Sequence, residues 1–206
     1  EMASFTASCS VKVSGASVKP VDPEKPVGPE NPENPGTPSD PGAPSAYGVI
    51  PTEGQVAWQR QELLMFYHYG QATFSGWDGE NPNCNGKPWS ESLLLANYKP
   101  VTIDADQWVK VAADNGFKEV ILTAKHHDGF CLWDNPESTT DVANAGCSNH
   151  TDVVQAVRNA CNKYGVKLGI YLSPWDRMIE AKRLSTSAYE AQYKKAITDL
   201  MTKYAP

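Results

Sequence analysis

The chain has 206 residues, of which 40% are hydrophobic and 20% charged, with a formal net charge of -6 at pH 7. This composition is typical of a globular domain, and its scattered Lys and Arg residues form no basic patch for a phosphate backbone, so no nucleic-acid partner is expected. A run of about 18 apolar residues, the length needed to cross a bilayer, is not present in the sequence.

Residues 1–46 are predicted to be an N-terminal lipoprotein-like tail and a proline-rich linker. Proline recurs at every third position from Pro20 to Pro44, and three residues per turn is the period of polyproline II. Polar residues fill the intervals, so the stretch cannot form a core and is predicted to be a disordered linker, stiff enough to act as a spacer. The alternative is a disordered tail of no particular length.

Cys9 lies among small residues, in a stretch that resembles the site at which a bacterial lipoprotein precursor is cut and lipidated. On this interpretation the protein is exported to the bacterial cell envelope, in the periplasm or at the surface, and is held by a lipid anchor through Cys9. An incidental cysteine is the alternative.

Residues 47–206 alternate apolar strands with amphipathic helices. Strands are predicted at residues 63–67, 119–124 and 167–172, and their nearly continuous apolar sequences are typical of a parallel sheet covered on both faces. About three βα units are therefore present. A TIM-type (β/α)8 barrel needs eight strands, so on a barrel interpretation these residues are its incomplete N-terminal portion. A small open sheet is the alternative.

Helical patterns fill the intervals between these strands. Asp104 is predicted to cap the first helix and Gly116 to stop it, the second begins near Asn149 or Thr151 and stops at Gly165, and the third begins near residue 187. The apolar residues expected to face inward are Trp108, Val111, Ala112, Val153, Val154, Val157, Ala160, Cys161, Tyr164, Tyr189, Tyr193, Ile197, Leu200 and Tyr204.

Polar and aromatic residues follow each predicted strand. His68 follows the first strand, His126 and His127 follow the second, and the third carries Tyr171 near its end and leads to Trp175. Active sites of parallel barrels form at the carboxyl ends of the strands. Three of the four histidines are therefore expected at one rim.

Three motifs carry a resemblance to a known family. They are TAKHHDGFCLW at residues 123–133, FYHYGQATF at 66–74 and GIYLSPWDR at 169–177. All three resemble motifs of the α-L-fucosidases of glycoside hydrolase family 29, and the third is most similar to the branch acting on α1,3- and α1,4-linked fucose. The resemblance covers residues 58–206 and implies a retaining hydrolase of terminal α-L-fucose, acting on a fucosylated oligosaccharide or glycoconjugate.

The same resemblance implies a set of sugar-binding residues, which are His68, His126, His127, Tyr171, Trp77, Asp78 and Trp175. A neutral imidazole offers one donor and one acceptor, which suits a sugar hydroxyl, and aromatic rings offer flat apolar surface for the C–H face and the methyl group of fucose. No metal or cofactor is expected.

Two departures from the family pattern stand out. A Glu-Trp pair usually follows the first motif, whereas here Asp78 or Glu80 is a candidate replacement and Trp89 with Glu91 is another, so the position stays open. The catalytic nucleophile and acid/base are expected after Pro206, and the chain alone is therefore expected to be inactive. Asp128 is predicted to stabilise the turn in which it lies.

Two other functions compete with this one. A non-catalytic carbohydrate-binding protein would need the sugar contacts but no attacking group. A metal-dependent hydrolase would take its ligands from His126, His127 and Asp128, although neighbouring residues of a strand point to opposite faces and suit a shared metal poorly.

The five cysteines give a further prediction. In an exported protein, Cys84 and Cys147 lie in polar segments near the same rim and are expected to form any disulfide. Cys161 belongs to an apolar helix stripe and is expected to be a buried thiol.

Overall fold

The computed structural model describes residues 50–77, 83–84 and 86–204, with only the backbone considered at 83–84. Cys9, the proline-rich stretch, Asp78 and Glu80 lie outside these residues, as do the predictions that rest on them. From Pro51 onward the described residues belong to one unit.

Helices and strands alternate along this part of the chain. The strands are β1 (Leu64–Tyr67), β2 (Asn83–Cys84), β3 (Lys87–Pro88), β4 (Glu119–Lys125) and β5 (Lys167–Leu172). The helices are α1 (Glu53–Gln59), α2 (Ala72–Ser75), α3 (Glu91–Asn97), α4 (Ala105–Asp114), α5 (Val153–Tyr164), α6 (Arg177–Lys182) and α7 (Thr186–Tyr204).

Strands β1, β4 and β5 form a parallel sheet with β4 in the centre, and β2 and β3 pair separately as a short antiparallel ladder. Leu64 pairs with Glu119, and Glu119 with Lys167, so the three strands start in register. The register shifts near the end of β4, where Thr123 pairs with Tyr171 but Lys125 with Leu172. The sheet confirms the predicted α/β class with parallel strands.

Helix α4 follows the predicted limits but buries a different face. The Asp104 carboxylate accepts a hydrogen bond from the Gln107 N–H at 2.9 Å, and Gly116 has a φ of 83° just past the end. Val109, at 0% exposure, packs in the core, whereas Val111 is 43% exposed. The prediction that Val111 faces inward is therefore wrong.

Helix α5 begins at a different cap from the two predicted. Asp152 is the cap, because its carboxylate accepts from the Gln155 N–H at 2.8 Å. Gly165 ends the helix with a φ of 67°, as expected. The predicted inward stripe is confirmed by the buried residues Val153, Val154, Val157, Ala160 and Cys161.

Helix α7 packs against the rest of the unit through three buried residues, which are Ala196, Leu200 and Tyr204. The Tyr204 hydroxyl donates to the Asp152 carboxylate at 2.5 Å and the Trp133 indole N–H to Asp199 at 2.9 Å. Ile197 is 41% exposed, so its predicted inward position is wrong, and Ala196 takes that place. In the described part of the chain, no helix is both long and apolar enough to cross a membrane.

The cysteine predictions have opposite outcomes. Cys161 is a buried free thiol, as predicted. Cys147 is also a free thiol, and its Sγ lies 3.2 Å from the Asn149 carbonyl oxygen, so the predicted Cys84–Cys147 disulfide is wrong. The Cys147 thiol instead forms a hydrogen bond within its own loop.

Candidate active site

Three histidines meet at the carboxyl ends of β1 and β4. His68 follows β1, and His126 and His127 follow β4 directly. The ring centroids of His68 and His126 are 5.5 Å apart, and those of His126 and His127 are 4.2 Å apart. Parallel pairing in register produces this proximity, because it brings neighbouring strand ends to one edge of the sheet.

Aromatic rings from β5 and the segment after it join this cluster. The Tyr171 ring lies 6.1 Å from the His126 ring, and the Trp175 ring lies 5.0 Å from the His127 ring. Trp175 is 38% exposed, and the Arg177 guanidinium lies over its ring, 4.2 Å from the ring centroid. The structure thus brings together five of the seven residues that the sequence nominates.

Phe66 is an aromatic neighbour that the sequence analysis did not nominate. Its ring lies 5.7 Å from the His68 ring and 6.2 Å from the Tyr171 ring, and the residue is 50% exposed. It stands two positions before His68, and residues i and i+2 of a strand share a face, so alternation along β1 was the signal that could have found it.

Trp77 is held through its backbone. The amide of the fully buried Gln71 donates to the Trp77 carbonyl oxygen at 2.6 Å, and the Trp77 side chain packs against the core. Its predicted neighbour Asp78 lies outside the described residues. Trp89, the other candidate for the missing Glu-Trp pair, is buried in the core and so has little surface for a sugar.

The segments that follow β4 and β5 are joined by hydrogen bonds, a contact referred to below as the seam. The Ser173 N–H donates to the Lys125 carbonyl at 3.0 Å, and the Arg177 N–H donates to the His127 carbonyl at 2.9 Å. The His127 Nδ1 and Ser173 Oγ atoms are 2.7 Å apart. The seam therefore fixes His127 against the turn that carries Trp175.

A buried ion pair lies beneath the seam. The Lys125 Nζ donates to an Asp176 carboxylate oxygen at 2.7 Å, with side-chain exposures of 6% and 9%. The other Asp176 oxygen caps α6 by accepting from the N–H groups of Met178 at 2.9 Å and Ile179 at 3.0 Å. Lys125 thus ties the end of β4 to the start of α6.

Gly129 allows the turn after β4 to approach this ion pair closely. Its φ is 89°, which L side chains rarely adopt, and a Cβ placed there would lie 2.5 Å from an Asp176 carboxylate oxygen. Only glycine fits at this point without displacing the ion pair.

Asp128 is buried, and its carboxylate accepts a hydrogen bond from the Phe130 N–H at 2.6 Å, which is the turn-stabilising contact predicted from the sequence. Burial raises the pKa of Asp128 to about 6, although the hydrogen bond from Phe130 opposes that shift. A buried carboxyl group engaged in its own turn is poorly placed to attack a substrate.

A cleft of about 290 Å³ opens between these strand ends, and its walls include His68, Thr123, His126 and Asp128. Its volume is close to the lower end of the range for small-molecule sites. Imidazoles can donate to or accept from hydroxyls, and together with flat aromatic rings they form a surface whose chemistry suits a sugar ring. Among the described residues, no group of three or more His, Cys, Asp or Glu side chains is placed to bind a metal ion.

Comparisons with known proteins agree with this chemistry. The family model described as Alpha-L-fucosidase matches residues 52–206. Alpha-L-fucosidase 1 of Arabidopsis thaliana is 38% identical over 156 residues, which cover 75% of this chain and 29% of the plant protein. The chain therefore spans less than a third of the length of this relative.

Solved structures give the same result. A glycoside hydrolase 29 family member from an unknown rumen bacterium is 34% identical, with a TM-score of 0.63 over 76% of this chain and 26% of that one. A fucosidase mutant of the same family from Ruminococcus gnavus, in complex with fucose, is 34% identical, with a TM-score of 0.52 over 63% of this chain and 25% of that one. The chain belongs to the α-L-fucosidase family, glycoside hydrolase family 29.

Proposed function

We propose that the protein containing this chain hydrolyses terminal α-L-fucose from fucosylated glycans with retention of configuration. The observation that carries this proposal is the match of residues 52–206 to the α-L-fucosidase family, with the motif histidines clustered at one edge of the sheet. The fucose bound to the related Ruminococcus gnavus protein supports the same class of substrate.

In this proposal His68, His126 and His127 hydrogen-bond the hydroxyls of fucose, while Tyr171 and Trp175 cover its apolar face. Trp77 and Asp78 follow the β1 motif and are proposed to complete the site from that side. The α1,3- and α1,4-linked preference is part of the proposal and rests on the GIYLSPWDR motif at residues 169–177.

The sheet of β1, β4 and β5 is proposed to be the first part of a (β/α)8 barrel. A retaining glycosidase needs a nucleophile and an acid/base about 5 Å apart. Among the described residues at this rim, the Asp128 and Asp176 carboxylates are both buried and engaged in their own turn or cap. Both catalytic groups are therefore proposed to come from later strands of the whole protein.

The test is kinetic and uses the whole protein. We expect His126→Ala and His127→Ala each to lower kcat/KM for an aryl α-L-fucoside by roughly 10- to 1000-fold, because hydrogen bonds that strengthen in the transition state are lost. His150→Ala is the matched control, because this exposed histidine lies away from the cluster, with its Nδ1 2.8 Å from the Val142 carbonyl.

The outcomes separate the candidate functions. Normal kinetics in both single variants would contradict the assignment of these histidines. A wild-type protein that binds fucose without turnover would instead indicate a carbohydrate-binding protein.

We further propose that the protein is exported and anchored to the bacterial cell envelope by a lipid on Cys9, with residues 20–44 as the spacer. The small residues around Cys9 and the threefold proline period support this proposal. Metabolic labelling with a fatty acid should mark the wild-type protein in cells and leave Cys9→Ser unlabelled. Equal labelling of both would contradict the anchor.

A further inference from the structure

Gln71 is a fully buried glutamine just before α2, with 0% exposure. Its Nε2 donates to the Trp77 carbonyl oxygen at 2.6 Å, and its Oε1 accepts from the Ser75 hydroxyl at 2.9 Å. The Ser75 Oγ in turn accepts from the Trp77 N–H at 3.2 Å. The backbone of Trp77 is therefore held at both its N–H and its carbonyl group.

The amide of Gln71 has a further partner in the turn after β4. The nitrogen must face Trp77, because a carbonyl oxygen only accepts, and an NH2 group still carries a second hydrogen. The Gln71 side chain also forms a hydrogen bond with the Asp128 carboxyl group, and this bond acts to lower the pKa of Asp128. Such an effect requires Gln71 to donate, because the ionised carboxylate only accepts.

Both of the segments that this amide joins line the cleft at the strand ends. Gly70 and Ala72 line it from the segment after β1, and Asp128 lines it from the turn after β4. The ladder between these two strands ends at the pair of Tyr67 with Leu122. Beyond that pair, the spacing of the two segments depends on side-chain contacts.

We infer that Gln71 is a positioning residue that sets the width of the cleft, by tying residues 70–77 to residues 126–130 from behind its wall. Being fully buried, it does so without touching a ligand. The consequence for substrates rests on the proposed function. A cleft of fixed width should favour fucose over L-galactose, which carries one more hydroxyl group at C6, because the larger group requires the walls to move.

The first test measures backbone hydrogen exchange in the whole protein and does not depend on activity. Gln71→Met removes the amide and keeps a side chain of similar length. We expect amides in both 70–77 and 126–130 to exchange roughly tenfold faster, because the loss of about one hydrogen bond lets both segments open locally. Faster exchange confined to 70–77 would overturn the inference.

Gln155→Met is the matched control, because Gln155 is an exposed glutamine of α5 whose Nε2 donates to the Asn159 Oδ1 at 2.9 Å. It should leave exchange in both wall segments unchanged. If Gln71→Met instead speeds exchange equally in every strand and helix, its role is general stability and the inference fails.

Gln71→Glu is the second variant, in case Gln71→Met does not fold. It has nearly the same shape and keeps an oxygen that can accept from Ser75, but it replaces the donor nitrogen by an oxygen. The same local rise in exchange in both wall segments is expected, and its absence from 126–130 would again count against the tie.

The second test compares kcat/KM of the whole protein for an aryl α-L-fucoside and the corresponding α-L-galactoside. Gln71→Met should lower the value for the fucoside roughly tenfold and should also lower the ratio of fucoside to galactoside, because looser walls admit the extra oxygen. A variant that is merely less folded loses equally on both substrates, so an unchanged ratio would refute the inference. If the wild-type protein hydrolyses neither substrate while Gln71→Met still speeds exchange in both wall segments, the proposed function alone is refuted.

Discussion

Replacing Lys125 by Met should strongly destabilise the fold, although the residue touches no proposed ligand atom. The change removes the partner of Asp176 but keeps most of the side-chain volume. Asp176 would then remain as a buried carboxylate with two backbone N–H partners and no opposing charge. Burying an unpaired charge is costly because no solvent replaces the lost partner.

The expected loss follows from the burial of the pair. Removing one partner of a buried ion pair typically costs about 3–5 kcal/mol, and exposures of 6% and 9% place Lys125 and Asp176 in that class. The double variant Lys125→Met/Asp176→Asn should be less destabilised than the sum of its single variants, because neither charge is then left alone. Part of its remaining loss would come from a weaker cap on α6.

Chemical denaturation of the whole protein, followed by circular dichroism, measures these free energies of unfolding. Lys110→Met is the matched control, because Lys110 pairs with Asp114 at 2.5 Å on the surface of α4, with side-chain exposures of 53% and 58%. That variant should be destabilised far less than Lys125→Met, because solvent screens an exposed pair. Equal losses for Lys125→Met and Lys110→Met would refute the reasoning from burial.

Two further predictions concern the turn after β4. Gly129→Ala should lower the melting temperature far more than Gly116→Ala, because both glycines have a positive φ but only the Cβ at Gly129 would meet a carboxylate, at 2.5 Å; similar melting temperatures would contradict this. Burial raises the pKa of Asp128 from 3.8 to about 6, so between these values the folded state holds a proton that the unfolded state has already lost. Stability should therefore fall by about 2 kcal/mol as pH rises from 4 to 6. Urea titrations across this range should show a smaller fall for Asp128→Asn, and an unchanged slope would be the contrary result.

The sequence predicted the strands and helix ends well because their signals are local. The limits of β5 agree with the predicted residues 167–172, and β4 extends one residue beyond its predicted end. Gly116 and Gly165 end their helices with positive φ, which only the local backbone has to satisfy.

The buried faces of α4 and α7 were harder to predict because each carries apolar residues on more than one side. Val109 and Val111 are chemically equivalent in the pattern, yet only Val109 is buried. The same holds for Ala196 and Ile197, where the smaller residue lies inside. Hydrophobicity alone does not predict which of two such residues is buried, because burial depends on the elements that pack against the helix.

The contacts behind the site could not be predicted because they join distant parts of the chain. Nothing in the motif around Lys125 indicates that this lysine forms an ion pair, because its partner Asp176 lies 51 positions away. Ser173 likewise lies 46 positions from His127. The motifs predicted which side chains meet at the rim, but only the paired strand ends show what holds them there.

The seam also determines whether the site loses its conformational entropy during folding or during ligand binding. Because the segments after β4 and β5 share hydrogen bonds, His127 and Trp175 are restrained as one body before any ligand arrives. Conformational entropy is therefore lost during folding and not during binding, so a ligand at this end of the sheet meets a preorganised wall. A change that loosens the seam should weaken ligand affinity even when every contacting side chain is retained.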